Sequence, residues 1–311
     1  MDRYKHDLTI IIPFFFGNKS LLKLLNSFVT SGLFNEGTLA VELILVNDSP
    51  QISVGEIEVI LESFFCYFRR TEIIQNNINV GVAASRNKGL DSSTGQWIYI
   101  IDQDDEVLQS FSQVVRKALK GNFDFILMNG LYCFELYKSK THPIYFFKPL
   151  LNLRKLIRAE IIRSPGQVLI KRELLRNLKF PEPPGKFYGA DDRFFWIILF
   201  AEYPFLKVLY DAGFSYKANI HLSNTGADSK KLWLSSLSLW DDFVSKYNFS
   251  QNGLVNRNIL LLKFRLRQFD GMTIKDFFVG LYEFIRHSCD LNKIFRFCSK
   301  KIIQLKSIAL F

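Results

Sequence analysis

Residues 97–105 read Trp-Ile-Tyr-Ile-Ile-Asp-Gln-Asp-Asp, an apolar run followed directly by three acids and a glutamine. A buried strand that ends in clustered carboxylates presents hard oxygen ligands at one edge of a sheet. Such ligands suit Mg²⁺ or Mn²⁺ bound to a diphosphate. A solvated turn after a buried strand has the same pattern, so this stretch alone leaves both interpretations open.

Two further apolar runs lie upstream, at residues 8–13 and 41–47, and each is bounded by polar or turn residues. Segments of helix length separate the runs, which is typical of parallel strands alternating with helices. In open α/β sheets ligands bind at the carboxyl ends of the strands. Asp48 and Asp102 each follow one of these runs. The sequence therefore predicts an α/β sheet with acids along its ligand-binding edge.

Several motifs occur in a fixed order along the chain: Thr9-Ile-Ile-Ile-Pro13, Val46-Asn-Asp-Ser49, Asn79-Val-Gly81, Ser85-Arg-Asn-Lys-Gly89 and residues 95–105. In this order they resemble the inverting family 2 glycosyltransferases of the GT-A fold, of the bacterial surface-polysaccharide type. The resemblance covers residues 7 to about 225. It implies a GT-A (Rossmann-like) mixed sheet flanked by helices over residues 1–247, with a nucleotide-binding half at about 1–106 and an acceptor half at about 107–247.

The resemblance implies a donor site for a nucleoside diphosphate-sugar. Asp48 matches an acid that hydrogen-bonds the nucleobase, and a carboxylate can accept from a ring N–H of uracil or guanine. Arg86 matches a basic residue near the nucleotide, where a guanidinium suits phosphate oxygens. From the residues alone, Asp48 could also cap a helix and Arg86 could be a solvated surface residue. The other predicted donor-binding residues are Pro13, Phe15, Gly81, Asp102 and Gln103.

The first loop departs from the family pattern, which usually has an aromatic residue and then Asn after the proline. This chain reads Phe14-Phe15-Phe16-Gly17-Asn18 after Pro13. The nucleobase pocket can therefore differ in shape, and the sequence does not identify the base.

Asp102 and Asp104 correspond to the Asp-x-Asp motif of the family, with Asp102 expected near the ribose and Asp104 at a divalent metal ion. The ion, Mg²⁺ or Mn²⁺, would neutralise the departing nucleoside diphosphate. His221 falls where the family often has a histidine near the diphosphate or the metal, and a neutral imidazole can ligate Mn²⁺. A structural histidine is the equal alternative. The predicted metal ligands are Asp104, Asp102 and His221.

Inversion also requires a base that takes the proton of the acceptor hydroxyl. The segment Gly189-Ala190-Asp191-Asp192 lies where the family reads Gly-Glu-Asp. The resemblance implies that Asp192 is the catalytic base and Asp191 an acid that positions the acceptor. The alternative is an acidic helix start, which the helix dipole favours. Gln167, on a predicted short strand, is expected to touch a sugar hydroxyl.

Most of the net charge of +10 lies at the C-terminal end. Residues 254–311 contain eleven Lys or Arg and four Asp or Glu, which gives +7. Apolar residues recur at helical spacing over 274–285 and again over 294–305. This pattern predicts a basic, amphipathic, α-helical C-terminal extension that binds an anionic membrane surface. The alternative is a helical hairpin packed on the catalytic domain.

The sequence thus predicts a metal-dependent hexosyl- or N-acetylhexosaminyltransferase that acts on a hydroxyl of a glycan. The expected acceptor is a lipid-linked oligosaccharide of O-antigen, capsule or lipopolysaccharide biosynthesis. No secretory leader is recognisable, so we expect a cytoplasmic protein, peripheral on the inner face of the plasma membrane, that binds no nucleic acid. The oligomeric state stays open. The main alternative is a non-catalytic membrane- or nucleic-acid-binding protein on a transferase-like scaffold.

A nucleotidyltransferase is a third interpretation, because it shares the sheet and the acids. Such an enzyme normally has a Gly-rich, basic loop after the first strand to hold a triphosphate. Residues 14–19 read Phe-Phe-Phe-Gly-Asn-Lys, which is poorly suited to that task.

Overall fold

The computed structural model describes residues 4–35, 37–134, 140–182, 189–221, 229–247, 253–266, 268 and 272–288. The chain divides into two compact units, Met1–Asp228 (unit 1) and Ser229–Phe311 (unit 2). The sequence suggested a boundary between residues 247 and 254, whereas the structure groups the helix Ser229–Tyr247 with unit 2.

Unit 1 contains strands and helices in alternation. The strands are β1 (His6–Phe14), β2 (Val41–Asn47), β3 (Arg70–Gln75), β4 (Gly95–Ile100), β5 (Glu106–Val107), β6 (Phe125–Phe134), β7 (Lys140–Pro143), β8 (Val168–Lys171) and β9 (Val208–Ile220). The helices are α1 (Asn18–Thr30), α2 (Val54–Leu61), α3 (Val82–Ser92), α4 (Phe111–Lys120), α5 (Leu153–Arg158) and α6 (Asp191–Glu202). Short 3-10 helices occupy Glu62–Tyr67, Pro165–Gln167 and Arg172–Leu175. The strands predicted at residues 8–13, 41–47 and 97–101 are confirmed.

The described strands form one mixed sheet in the order β3-β2-β1-β4-β8-β6-β9-β5, and β7 pairs with β6. The first four strands are parallel, whereas β8 runs antiparallel to both β4 and β6. The predicted mixed sheet flanked by helices is confirmed. The chain passes from β1 to β2 and β3 and then returns to β4 on the other side of β1. This reversal of strand order opens a crevice at the carboxyl ends of β1 and β4, where ligands bind in such sheets.

Packing in the core positions α1, α3 and α4 relative to the central strands β1 and β4. The rings of Tyr99 in β4 and Phe111 in α4 lie 4.6 Å apart, and Phe28 of α1 packs on both. On α3, a Cβ atom at Gly89 would lie 2.3 Å from Cγ2 of Ile11. Only glycine therefore allows α3 to approach β1 this closely, and the approach determines where the other side chains of α3 lie.

A buried carboxylate joins the strands at the edge of the sheet opposite the crevice. Glu42 of β2 is fully buried and accepts hydrogen bonds from the Thr9 hydroxyl at 2.5 Å and from the Thr94 backbone N–H at 2.8 Å. Arg70 of β3 also donates to it. Burial would raise the pKa of Glu42, but the hydrogen bonds from Thr9, Thr94 and Arg70 together hold it below its usual value. The ionised carboxylate thus links β1, β2, β3 and the residue before β4.

Unit 2 consists of α7 (Ser229–Tyr247), α8 (Gly253–Leu266) and α9 (Ile274–Ser288), as far as the structure describes it. Helix α8 packs against both α7 and α9. The amphipathic helix predicted over 274–285 is confirmed as α9, whereas the one predicted over 294–305 lies outside the described residues. Among the helices of the described residues, none is long and apolar enough to span a bilayer.

We predict that Glu42→Gln lowers the free energy of unfolding by about 2 kcal/mol at neutral pH, because the amide loses the charge that Arg70 and the threonines stabilise. The lowered pKa of Glu42 means that its contribution is present above its usual pKa and is lost as the pH falls through the folded-state value. The difference in the free energy of unfolding between the wild type and Glu42→Gln should therefore become smaller at acidic pH. Urea unfolding over a range of pH measures both effects. Glu58→Gln on α2 is the control and should stay within about 0.5 kcal/mol of wild type; an equal loss in both variants would contradict the prediction.

Candidate active site

Asp48 organises the loop that enters α3. Its carboxylate accepts hydrogen bonds from the Asn76 side chain at 2.9 Å and from the backbone N–H groups of Val80 and Gly81, both at 2.8 Å. Gly81 has φ of 90°, a conformation that favours glycine. The acid predicted to bind the nucleobase is buried and holds this loop in place. The carboxylate keeps lone pairs beyond these three bonds.

The exit of β1 is held by the side chain of Gln103. Its Oε1 accepts from the Phe15 backbone N–H at 2.7 Å and its Nε2 donates to the Phe15 carbonyl at 2.9 Å. Phe16 and Gly17 follow with φ of 51° and 93°. The positive φ favours glycine at position 17, where a Cβ atom would also lie 2.8 Å from Gln103 Nε2. The predicted donor-binding residues Phe15 and Gln103 therefore lie together.

Pro13, also predicted to bind the donor, lies inside β1 opposite Val46 and is buried. The Phe15 and Phe16 rings, in contrast, are about half exposed at this edge and meet edge to face at 4.8 Å. The loop thus presents an aromatic surface beside Gln103.

Arg86 joins the end of β4 to the start of α6. Its Nη2 donates to Asp102 Oδ1 and its Nη1 to Asp191 Oδ2, each at 2.7 Å. The guanidinium is only 5% exposed and lies 5.3 Å from the centre of the Phe180 ring. Burial disfavours its charge, but Asp102, Asp191 and Asp192 outweigh burial and raise the pKa of Arg86 above its usual value. Arg86 was predicted near the phosphates; the structure shows it bound to two carboxylates.

The two acids at the start of α6 differ in their surroundings. Asp191 is buried and paired with Arg86, whereas Asp192 is half-buried and its Oδ1 accepts from the Arg193 backbone N–H at 2.6 Å. Burial, followed by the charges of Asp191 and Glu160, raises the pKa of Asp192 to about 8. Burial also raises the pKa of Asp191, although Arg86 opposes this. Asp192 is therefore a stronger base than an ordinary aspartate.

The turn before these acids is strained. Gly189 and Ala190 both have positive φ, 98° and 65°. Ala190 and Phe16 are the only non-glycine residues with positive φ among the described residues. A left-handed conformation costs a residue with a Cβ atom roughly 1–2 kcal/mol. Both sites of strain border the crevice, one beside the predicted donor loop and one beside the predicted base.

Asp104 and His221 meet at the end of β9. His221 Nε2 lies 2.7 Å from Asp104 Oδ2, and both side chains are partly exposed. Burial and the charge of Asp102 raise the pKa of Asp104, although His221 opposes the rise. In the described part of the chain, no group of three or more His, Cys, Asp or Glu is arranged to hold a metal ion. The structure thus joins two of the three predicted metal ligands, while Asp102 binds Arg86.

The remaining acid of the cluster faces the protein interior. Asp105 accepts from the Tyr216 hydroxyl and from the Asn219 backbone N–H, the latter at 3.0 Å. Burial and the neighbouring charges of Asp102 and Asp104 raise its pKa well above the usual value. Asn219 also donates its side-chain amide to the Asp104 carbonyl at 2.7 Å. Asp105 and Asn219 therefore fasten the acidic turn to β9.

Sequence reasoning missed Asn219 and Phe180 and misplaced Gln167. Asn219 near the end of β9 and His221 just after the strand are two residues apart, the spacing at which extended residues share a face, and this was the available signal. No sequence pattern singled out Phe180, which stacks on Phe195 at 4.0 Å. Gln167 was expected to touch a sugar hydroxyl, which is wrong, because it is fully buried and bonded to the Arg163 backbone N–H at 2.8 Å.

Several proteins of known structure share this architecture. S. aureus TarS 1-349 in complex with UDP-GlcNAc aligns with a TM-score of 0.61 and 16% identity, over 89% of this chain and 79% of that one. The mannosyltransferase PcManGT from Pyrobaculum calidifontis, in complex with GDP-Man and Mn²⁺, aligns with a TM-score of 0.54 and 12% identity, over 96% of this chain and 84% of that one. At such identities the likeness concerns the fold alone, and the predicted GT-A fold is confirmed.

Curated relatives match over the N-terminal part of the fold. Glycosyltransferase GlyA of Streptococcus pneumoniae is 25% identical over 56% of this chain and 25% of its own length. The cholesterol galactosyltransferase of Borreliella burgdorferi is 26% identical over 57% of this chain and 42% of its own length. The chain therefore spans only about a quarter to two fifths of these two relatives. The model of glycosyl transferase family 2 matches residues 9–179, which is more than half of the 311 residues, and this chain belongs to that family.

Proposed function

We propose that this protein transfers a hexosyl or N-acetylhexosaminyl group from a nucleoside diphosphate-sugar to a hydroxyl of a glycan acceptor, with inversion at the anomeric carbon. The observation that carries the proposal is the chain of contacts from Asp102 through the buried Arg86 to Asp191. It joins the acidic motif at the end of β4 to the segment that bears Asp192. Neighbours of the same fold, solved with UDP-GlcNAc and with GDP-Man, support a nucleotide-sugar donor.

Asp192 is the proposed base. The acceptor hydroxyl gives its proton to the Asp192 carboxylate as its oxygen attacks the anomeric carbon, and the nucleoside diphosphate departs from the opposite face. The raised pKa of Asp192 makes its carboxylate a better proton acceptor. Asp191 is bound to Arg86 and buried, so its role is to fix the first turn of α6. The role of Asp192 is the one that the resemblance implied, whereas the resemblance gave Asp191 the different task of positioning the acceptor.

The donor lies, in this proposal, at the carboxyl ends of β1, β2 and β4. The exposed Phe15 ring and the remaining lone pairs of Asp48 face the nucleoside, and Gly81 gives the backbone room beside it. Asp102 serves the ribose and is held in place by its pairing with Arg86. Arg86 contributes positive charge near the diphosphate, while its two terminal nitrogens each donate to a carboxylate.

The residues at this edge fit a divalent ion when the donor supplies further ligands. A carboxylate oxygen of Asp104 and an imidazole nitrogen of His221 are ligands that Mn²⁺ accepts, and diphosphate oxygens are the natural complement. The two side chains already meet in this structure. Mg²⁺ or Mn²⁺ held there would neutralise charge on the leaving diphosphate.

The proposed acceptor is a lipid-linked oligosaccharide of O-antigen, capsule or lipopolysaccharide biosynthesis, reached at the cytoplasmic face of the membrane. The support lies in unit 2. Ile274, Phe278 and Tyr282 on α9 are each at least 60% exposed and stand at helical spacing, next to the basic residue Lys275. An exposed apolar stripe with adjacent cations is typical of a helix that lies on an anionic membrane surface. Residues 254–311 are therefore the proposed membrane contact of the extension.

We predict that Asp192→Asn lowers kcat by about 10²–10⁴-fold, because the amide cannot accept the proton of the acceptor, while the KM for the donor changes little. The measurement is the rate of nucleoside diphosphate release with a panel of donors and glycan acceptors. Glu202→Gln, at the other end of α6, is the matched control and should keep wild-type turnover. Retained turnover in Asp192→Asn would disprove the base assignment. Absence of turnover and of nucleotide binding in the wild type would favour the non-catalytic scaffold.

The raised pKa of Asp192 predicts an acid limb in kcat/KM. Because the base must be deprotonated, kcat/KM should fall as the pH drops below about 8. Glu160 is one of the charges that raise this pKa, so Glu160→Gln should move the limb to lower pH without abolishing turnover. Glu58→Gln on α2 should leave the profile unchanged. If the pH dependence of kcat/KM in Glu160→Gln is the same as in the wild type, Asp192 is not the group whose protonation lowers kcat/KM in acid.

We predict that Asp104→Asn and His221→Ala each weaken Mn²⁺ binding at least tenfold in the presence of a nucleoside diphosphate, because each removes one of two protein ligands. Calorimetric titration with Mn²⁺ and UDP or GDP measures this directly and needs no acceptor. His142→Ala on β7 is the control histidine. Unchanged Mn²⁺ affinity in both variants would place the metal elsewhere.

A further inference from the structure

A second surface with membrane-like chemistry lies on unit 1, outside the extension. Between β7 and the end of α5, three apolar side chains point into solvent: Phe146 is 76% exposed, Phe147 88% and Leu150 62%. Exposed cations follow directly on α5. We call this surface the aromatic-basic patch and define it as Phe146, Phe147, Leu150, Arg154, Lys155 and Arg158.

The loop that carries the two phenylalanines is anchored. Asn129 of β6 binds Tyr145 through both backbone groups, accepting from its N–H and donating to its carbonyl, each at 3.1 Å. The Tyr145 hydroxyl donates to the Ile161 carbonyl at 2.6 Å. Because Tyr145 is fixed towards the protein, the next two residues are turned outward. The exposed rings of Phe146 and Phe147 are therefore held in position by the residue before them.

Helix α5 separates its apolar and basic residues. Leu156 and Ile157 are buried, whereas Arg154, Lys155 and Arg158 are exposed. The Asn152 side chain caps the helix by accepting from the Lys155 backbone N–H at 3.0 Å. The cations thus stand on a capped turn beside the exposed apolar side chains.

We propose that the aromatic-basic patch docks unit 1 on an anionic lipid bilayer. Residues 144–158 contain four basic residues, including Lys148, and no acid. Exposed aromatic and aliphatic side chains next to unbalanced cations are complementary to the acyl-chain boundary and to the charged headgroups of such a bilayer. The apolar groups enter the boundary of the acyl chains and the cations meet the anionic headgroups.

The charge pattern argues against other partners. A two-fold contact with a second copy of the chain would bring the same cations face to face, and like charges in contact are unfavourable. A nucleic acid would use the cations and stack on the rings, but it would leave the aliphatic Leu150 without a role. An anionic bilayer accommodates all six side chains.

The patch lies on the side of unit 1 that carries the proposed base. Arg193, the residue after Asp192, donates from its guanidinium to the Ile157 carbonyl of α5 at 2.9 Å. Glu160, two residues beyond α5, is close enough to raise the pKa of Asp192. Docking through the patch would bring the start of α6 near the headgroups, where the sugar of a lipid-linked acceptor lies. This last step rests on the proposed function, whereas the bilayer contact does not.

The test is co-sedimentation of the full chain with vesicles of phosphatidylcholine, with and without phosphatidylglycerol, in the absence of donor. We expect binding only with the anionic lipid. The variants Phe146→Ser/Phe147→Ser and Arg154→Glu/Lys155→Glu should each bind at least tenfold more weakly, since every cation near such a surface contributes roughly fivefold in affinity. The matched controls are Phe205→Ser, at a phenylalanine 93% exposed outside the patch, and Lys120→Glu on α4.

Each remaining outcome would overturn the inference. These outcomes are no binding by the wild type, equal binding by the patch variants, and an equal loss in the controls. Self-association of the wild type that the patch variants abolish, seen by light scattering, would assign the patch to a second copy instead. Binding of a single-stranded oligonucleotide that depends on the patch would assign it to nucleic acid. Nucleotide binding, measured separately, should be the same in wild type and patch variants, so failure of the docking inference is distinguishable from failure of the proposed function.

Discussion

The ion pairs of Arg86 are the constraint from which the arrangement of the site follows. A guanidinium 5% exposed is stable in this position because two carboxylates approach it at 2.7 Å and Phe180 covers it. Removing one partner from a buried pair typically costs about 3–5 kcal/mol, since the remaining charge is left uncompensated. The end of β4, the start of α3 and the start of α6 therefore hold together. Because Gly89 seats α3 directly on β1, the position of α6 is set by the central strands.

The acids along the crevice are bound by groups of the protein itself, and these contacts stabilise an edge rich in negative charge. Asp48 binds backbone N–H groups of the α3 loop, Asp105 binds β9, and Asp104 meets an imidazole. Hydrogen bonds of this kind oppose the desolvation of these carboxylates, although burial still raises the pKa of Asp104 and Asp105. The loops at the carboxyl ends of the strands are thus shaped by the acids themselves.

The strands and the order of motifs could be predicted from the sequence, because the signals are local: apolar runs, glycines and acids that directly follow a strand. The pairing of Arg86 with Asp191 could not, since 105 residues separate them and only the tertiary fold brings them together. The resemblance implied that Arg86 lies near the phosphates of the nucleotide, whereas in the structure it binds two carboxylates. Similarly, nothing local indicates that Asp105 turns inward to Tyr216 while its neighbour Asp104 faces His221.

The left-handed backbone at Ala190 has a consequence for how this chain can change over generations. At φ of 65° a β-branched or bulky side chain would clash with its own backbone, whereas glycine, asparagine and aspartate adopt this conformation most readily. Position 190 can therefore drift among only a few residue types while the acids after it stay in place. The neighbouring position 189, also left-handed, is restricted still further. In a lineage of related sequences, this turn should therefore keep small residues, and these would identify the site even where the acids themselves have been exchanged.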